Sequence, residues 1–214
     1  MSRSEGVRSR KVLIVTVAAL ALTMGAVASY VTSRKAAPQI EGLLWPQSKA
    51  LKAFALEDHR REPFTLERMT GRWTLLFFGY THCPDVCPVT MSVLKNAIAL
   101  MAEAGSANEV PQVVFVSVDP ARDTAEHMAG YVGHFSPAFL GVTGDDANLK
   151  EFARQLGVLY IRAEPDTGGS YLVDHTAAVF LIDPRGHLVA LFQAPQEAQR
   201  IARDVSRIRD LEWN

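Results

Sequence analysis

Trp73-Thr-Leu-Leu-Phe-Phe78 runs without a break into Gly79-Tyr-Thr-His-Cys-Pro-Asp-Val-Cys-Pro88, and this join decides the fold. A continuous apolar run is what a strand covered on both faces needs, because no solvent-facing side demands alternation. Pro88 suits the first turn of a helix, where its missing amide proton costs nothing. Beyond it Leu94, Ile98 and Met101 fall on one helical stripe. The turn between strand and helix carries both cysteines of the chain, Cys83 and Cys87.

Working downstream, Val113 to Val118 reads as a second buried strand. Asp123 and Glu126 are spaced to cap the next helix, with Met128, Tyr131, Val132 and Phe135 facing inward. Asp145 opens another helix, carrying Leu149, Phe152, Ala153 and Leu156. Ala177 to Ile182 and His187 to Phe192 read as paired strands around the turn Asp183-Pro-Arg-Gly186. A last amphipathic helix runs from about Pro195, with Ile201, Val205 and Ile208 inward. Upstream, Phe54-Ala-Leu56 and Phe64-Thr-Leu66 read as a short hairpin. A βαβα half followed by ββα is the thioredoxin order, so the expectation is an α/β, thioredoxin-like fold with a central sheet flanked by helices.

The N-terminus is of another kind. Arg3, Arg8, Arg10 and Lys11 precede an uncharged run from Val12 to Val31. About twenty residues at ~1.5 Å each span roughly the ~30 Å of a bilayer core. The basic excess before the run, against Arg34 and Lys35 after it, places the N-terminus on the cytoplasmic side. A cleaved signal peptide is the competing reading, since Ala26-Val-Ala28 resembles a cleavage site. Both readings export the remainder. The expected division is therefore 1–11 cytoplasmic, 12–31 transmembrane, 32–50 a tether with Pro38, Gly42 and Pro46, and 51–214 one domain. With 22 basic against 23 acidic residues, the composition argues against nucleic acid as a partner.

The chemistry sits in the turn. Amides at a helix N-terminus lower a nearby thiol's pKa, and the thiolate is both nucleophile and soft metal ligand. At this spacing the two sulfurs can converge on one ion or close a disulfide. A purely structural disulfide would close so short a loop that it constrains the unfolded chain little. Of six histidines, His59, His127, His134 and His187 read as ordinary surface or turn residues. His82 adjoins Cys83, but adjacent side chains in an extended segment diverge. His175 opens a buried strand after the loop Glu164-Pro-Asp-Thr-Gly-Gly-Ser170, at the point of a thioredoxin sheet that faces the cysteine helix. Thioredoxins place a cis-proline there; this chain has Asp174-His175-Thr176. Two cysteines and one histidine are too few for closed structural zinc, whereas soft thiolates with an imidazole select copper(I), one ion per chain. Copper(II) could also be held if solvent or a carboxylate completed the shell. A thiol peroxidase would need an arginine beside its cysteine, and Thr81-His-Cys-Pro84 offers none. Asp119, Asp123 and, between the cysteines, Asp85 read either as turn-forming and capping residues or as a negative rim steering a basic partner.

Gly79-Tyr-Thr-His-Cys-Pro-Asp-Val-Cys-Pro88, Ser117-Val-Asp-Pro120 with Arg122-Asp-Thr124, and Asp174-His-Thr176 before Val179-Phe-Leu-Ile-Asp-Pro184 together resemble the Sco/SenC family, in order and spacing, over about residues 50 to 212. The resemblance implies a copper chaperone, with a thiol-disulfide reductase as the alternative, acting on the dinuclear copper centre of cytochrome c oxidase. It implies Cys83, Cys87 and His175 as the metal ligands and the oxidase's copper-bearing subunit as the partner, served by a periplasmic copper donor or thiol reductant. The short loop before His175 and the absence of a long segment before the apolar run point to a single-pass protein of a bacterial inner membrane, its domain facing the periplasm.

Overall fold

The computed structural model describes residues 16, 17, 19–25, 40–105 and 110–212. The chain divides into two units, Met1–Gln39 and Ile40–Asn214. In the first, the described residues 16, 17 and 19–25 are helical and exposed; the rest of the expected span 12–31 lies outside the described residues. Among the described residues, one helix is long and apolar enough to cross a membrane, Val86–Ala104. Its Met91, Leu94 and Ala97 are fully buried, so it is a core helix of the second unit.

That unit is built on an eight-stranded mixed sheet. In chain order the strands are β1 (Leu43–Ala50), β2 (Ala55–Asp58), β3 (Pro63–Thr65), β4 (Thr74–Gly79), β5 (Gln112–Ser117), β6 (Leu140–Thr143), β9 (Ala178–Ile182) and β10 (His187–Gln193); β7 (Tyr160–Arg162) and β8 (Val173–His175) form a separate two-stranded sheet. The helices are α1 (Val86–Ala104), α2 (Ala125–Phe135), α3 (Asp146–Leu156) and α4 (Ala198–Glu212). The main sheet has the order β1-β10-β9-β4-β5-β6-β2-β3. Strand β4 pairs parallel with β5 and antiparallel with β9. All six of its residues are buried, which accounts for the unbroken apolar run.

The helices carry the stripes read from the sequence, with local differences. On α1 the buried face is Cys87, Thr90, Met91, Leu94, Ala97 and Met101, while Ile98 is only partly covered. On α3 the Asp145 carboxylate accepts from the Asn148 amide, as an N-cap should, and Gly157 closes the helix at φ 71°. On α2 the cap is Thr124, whose hydroxyl accepts from the His127 amide; Asp123 is turned inward to another task. Ile201, Val205 and Ile208 of α4 are buried against α1.

The expected tether ends early. Leu43–Ala50, read as its second half, is strand β1 and pairs antiparallel with β10. The Glu41 and Gly42 amides both donate to the buried Asp204 carboxylate of α4, at 2.9 and 3.0 Å. The folded unit thus begins about ten residues before the expected boundary at 51.

Candidate metal centre

Strand β4 ends at Gly79, and the chain turns through Tyr80–Asp85 into α1. A parallel sheet delivers its loops at the carboxyl ends of its strands, which is where ligands gather in α/β folds. The Cys83 amide donates to the Tyr80 carbonyl at 3.2 Å, and the Cys87 amide donates to Cys83 Sγ at 3.4 Å. Both thiols are free; Cys83 is partly exposed and Cys87 is buried. Gly79 is required by packing: a Cβ there would stand 2.8 Å from both Cys87 Sγ and Phe115 Cε2. No side chain larger than hydrogen lets the buried sulfur lie against the strand.

The third donor comes from the other sheet. His175 ends β8, and its Nε2 lies 3.4 Å from Cys87 Sγ. Its Nδ1 lies 3.3 Å from the Thr176 carbonyl, so a proton on Nδ1 leaves the Nε2 lone pair turned to the sulfurs. The rings of Phe77 and Tyr80 meet the imidazole edge-on and limit its swing. One donor atom from each of Cys83, Cys87 and His175 lies within 4.8 Å of the other two. These are the three residues singled out from the sequence, and the fold brings all three together.

The thiols are unequal. Cys83 is drawn down to about 5, chiefly by the hydrogen bond with Cys87, helped by the Asp85 and Cys87 amides and by His175, against the opposing effect of burial. Cys87 is pushed up, by the same hydrogen bond and then by burial. One proton is shared: Cys83 holds a thiolate and Cys87 keeps the hydrogen. The phenols nearby are raised as well, Tyr80 and Tyr131 both first by burial and then by the charges of the two sulfurs among other influences.

The other candidates lie elsewhere. His82 turns away from the sulfurs; its ring stacks on His127 at 5.0 Å and its Nδ1 is 3.5 Å from Asp123. The reading of Asp119 and Asp123 as a negative rim is corrected, since both are buried. Asp123 accepts from the Thr81 amide and hydroxyl and from the Ser117 hydroxyl, tying the turn before Cys83 to β5. Asp119 accepts from Arg122 Nε and from the Tyr171 hydroxyl. Asp85 is exposed. His59, His127 and His187 make local contacts away from the sulfurs, as expected of ordinary residues. Arg162 and Tyr171 carry no pattern that marks them in the sequence, and Arg122 stands there only within the motif Arg122-Asp-Thr124, in the run after β5 that reaches the same sheet edge.

The model of the SCO1/SenC family matches residues 46–210 of this chain. A relative from Stutzerimonas stutzeri is 35% identical over 175 residues, covering 81% of this chain and 84% of the relative. Mitochondrial relatives are longer: the chain spans 60% of the SCO2 homolog of Mus musculus and 50% of the SCO1 homolog of Homo sapiens. Among solved structures, apo Sco1 of Thermus thermophilus is 38% identical with a TM-score of 0.70, over 81% of this chain and 99% of that one. Bradyrhizobium japonicum ScoI, solved with copper bound, is 34% identical with a TM-score of 0.66, over 74% and 98%.

Proposed function

Because this chain belongs to the SCO1/SenC family, we propose that it binds one copper(I) ion through Cys83, Cys87 and His175 and hands it to the dinuclear copper centre of cytochrome c oxidase. The observation that carries the reading is the convergence of two sulfurs and one imidazole nitrogen within 4.8 Å. That donor set fits the cargo. Two thiolates and an imidazole are soft ligands, and copper(I) accepts a coordination number of three, whereas structural zinc would want a fourth ligand. The partly exposed Cys83 offers an incoming ligand a way to the ion, as transfer to an acceptor requires.

We place the copper-binding domain in the periplasm of a bacterial cell, tethered by residues 12–31 as a single-pass anchor in the inner membrane. The oxidase's copper-bearing subunit is the acceptor, and a periplasmic copper donor or thiol reductant completes the cycle.

A second reading has an observation of its own. An accessible thiolate at Cys83 backed by a buried thiol at Cys87 is the asymmetry a dithiol reductant uses. Cys83 would attack an oxidised cysteine pair of the acceptor. Cys87 would then give up its proton and displace the mixed disulfide, leaving the acceptor as a dithiol and this chain as a disulfide to be reduced by an external thiol.

Titration of the reduced full-length chain with copper(I) against a chelator separates the two. One ion per chain, lost on prior oxidation of the cysteines, is the expected result. Equal binding by the oxidised chain would sink the thiolate site, and absent binding together with rapid disulfide turnover would favour the reductant.

A further inference from the structure

We propose that Asp119, Arg122 and Tyr171 are positioning residues that lock the β7–β8 hairpin against the body of the domain and so hold His175 on the cysteine pair. This rests on the copper site proposed above.

The hairpin needs such a lock. Its strands pair with each other, β7 with β8, and among the described residues no ladder joins them to the main sheet. Leu159 and Ile161 are more than two-thirds exposed, so apolar burial holds that side weakly. On the other side Val173 is buried in the core and Tyr160 and Tyr171 pack against it. Beside that packing, side-chain ties fix the hairpin, and they meet on one group. Asp119 is fully buried; its Oδ2 accepts from Arg122 Nε at 2.5 Å and its Oδ1 accepts from the Tyr171 hydroxyl at 2.7 Å. Arg122 Nη1 also donates to the Tyr171 carbonyl at 3.0 Å, and its guanidinium lies over the Tyr171 ring at 3.5 Å. Tyr171 is thus gripped at its carbonyl, ring and hydroxyl, four residues before His175. On the neighbouring strand Arg162 donates to the Val118 carbonyl at 3.3 Å and to Asp146 at 3.0 Å.

The same guanidinium reaches the metal centre from behind. Arg122 Cζ is 5.6 Å from the Tyr80 ring centroid, and that ring meets His175 edge-on at 6.1 Å. A plain structural anchor would account for this poorly. Buried ion pairs return little net stability compared with apolar packing. Here Arg162 Nε reaches Asp119 Oδ1 only at 3.8 Å, and Arg122 Nη2 makes no direct hydrogen bond to the protein, so the pairing is loose for a group meant to add stability. What the group supplies is a fixed position, and the element whose position it fixes carries the third ligand.

The test is a double-mutant cycle on copper(I) affinity, using the reduced full-length chain and a competing chelator. Arg122→Met keeps the apolar stem over Tyr171 and removes the charge and its hydrogen bonds. It is expected to weaken copper(I) binding by about tenfold in the parent chain and by less than about twofold in the His175→Ala background. Tyr171→Phe, which removes one hydroxyl and leaves the ring in place, guards against a failure to fold and should show the same dependence at smaller size. A merely structural role would weaken binding equally in both backgrounds, or in neither, and either result overturns the proposal. If His175→Ala itself leaves the affinity unchanged, the copper site as assigned fails and the positioning role fails with it.

Discussion

Two cysteines four positions apart differ in everything but chemistry, and the difference is set by which end of one hydrogen bond each occupies. In the reduced, metal-free chain Cys83 should react with iodoacetamide at a rate that is flat from pH 8 to about 6 and falls as the pH drops through about 5. The sign follows from the thiolate being the nucleophile: a depressed pKa leaves it present above that value and protonates it below. Mass spectrometry should find Cys83 modified and Cys87 spared, and preferential labelling of Cys87 would reverse the assignment. Histidine identity is the next test. His175→Ala should weaken copper(I) binding by at least about tenfold, about 1.4 kcal/mol, while His82→Ala, whose ring stacks on His127, should cost much less. The third concerns Gly79. An alanine methyl would press on both Cys87 Sγ and Phe115 within a closed core, so Gly79→Ala should lose about 1–3 kcal/mol of stability and also weaken copper binding. Urea unfolding followed by chelator competition checks both halves.

At the scale of elements, helix caps offer a control. Thr124→Ala removes the hydroxyl that satisfies the His127 amide and should cost about 1 kcal/mol in urea unfolding. The copper affinity should not change, because α2 contributes no donor. What was legible in the sequence was whatever produces a pattern along the chain itself. Buried β4 and β9 appear as apolar runs and α3 and α4 as stripes; His175, expected to open a buried strand, instead ends the half-exposed β8, three residues before β9. Strand β1 was hidden because it is an edge strand with mostly exposed residues, interrupted by an irregularity in its pairing between Leu44 and Lys49. Its existence depends on β10, more than a hundred residues away. The short pair β7–β8 was hidden for a similar reason, since Leu159, Ile161 and Leu172 face solvent. Asp123 misled for a different one. Its spacing to Glu126 satisfies the capping pattern, but Thr124 takes the cap, and only the fold shows that Ser117 and Thr81 claim the carboxylate.

For the whole molecule, the position of β1 redraws the domain. A soluble fragment that starts at residue 51 strips β10 of one of its two neighbours, leaving only β9, and takes both amides from buried Asp204. Such a fragment should be less stable than one starting at residue 40 by at least about 1–3 kcal/mol, the cost of an unsatisfied buried acceptor. Comparison of their urea midpoints decides it, and equal midpoints would mean the strand adds nothing. The sheet order also has a consequence in time. Strand β4, which ends beside the cysteines, lies between β5 and β9, and β1 waits for β10, so the sheet stays incomplete until nearly the whole chain has been synthesised. Long-range pairing of this kind is slow to form. The cysteines therefore leave the ribosome, and on the topology proposed here cross the membrane, well before the histidine and the strands that shelter them. Newborn chains spend that interval as an open dithiol, exposed to whatever oxidant or stray metal they meet first.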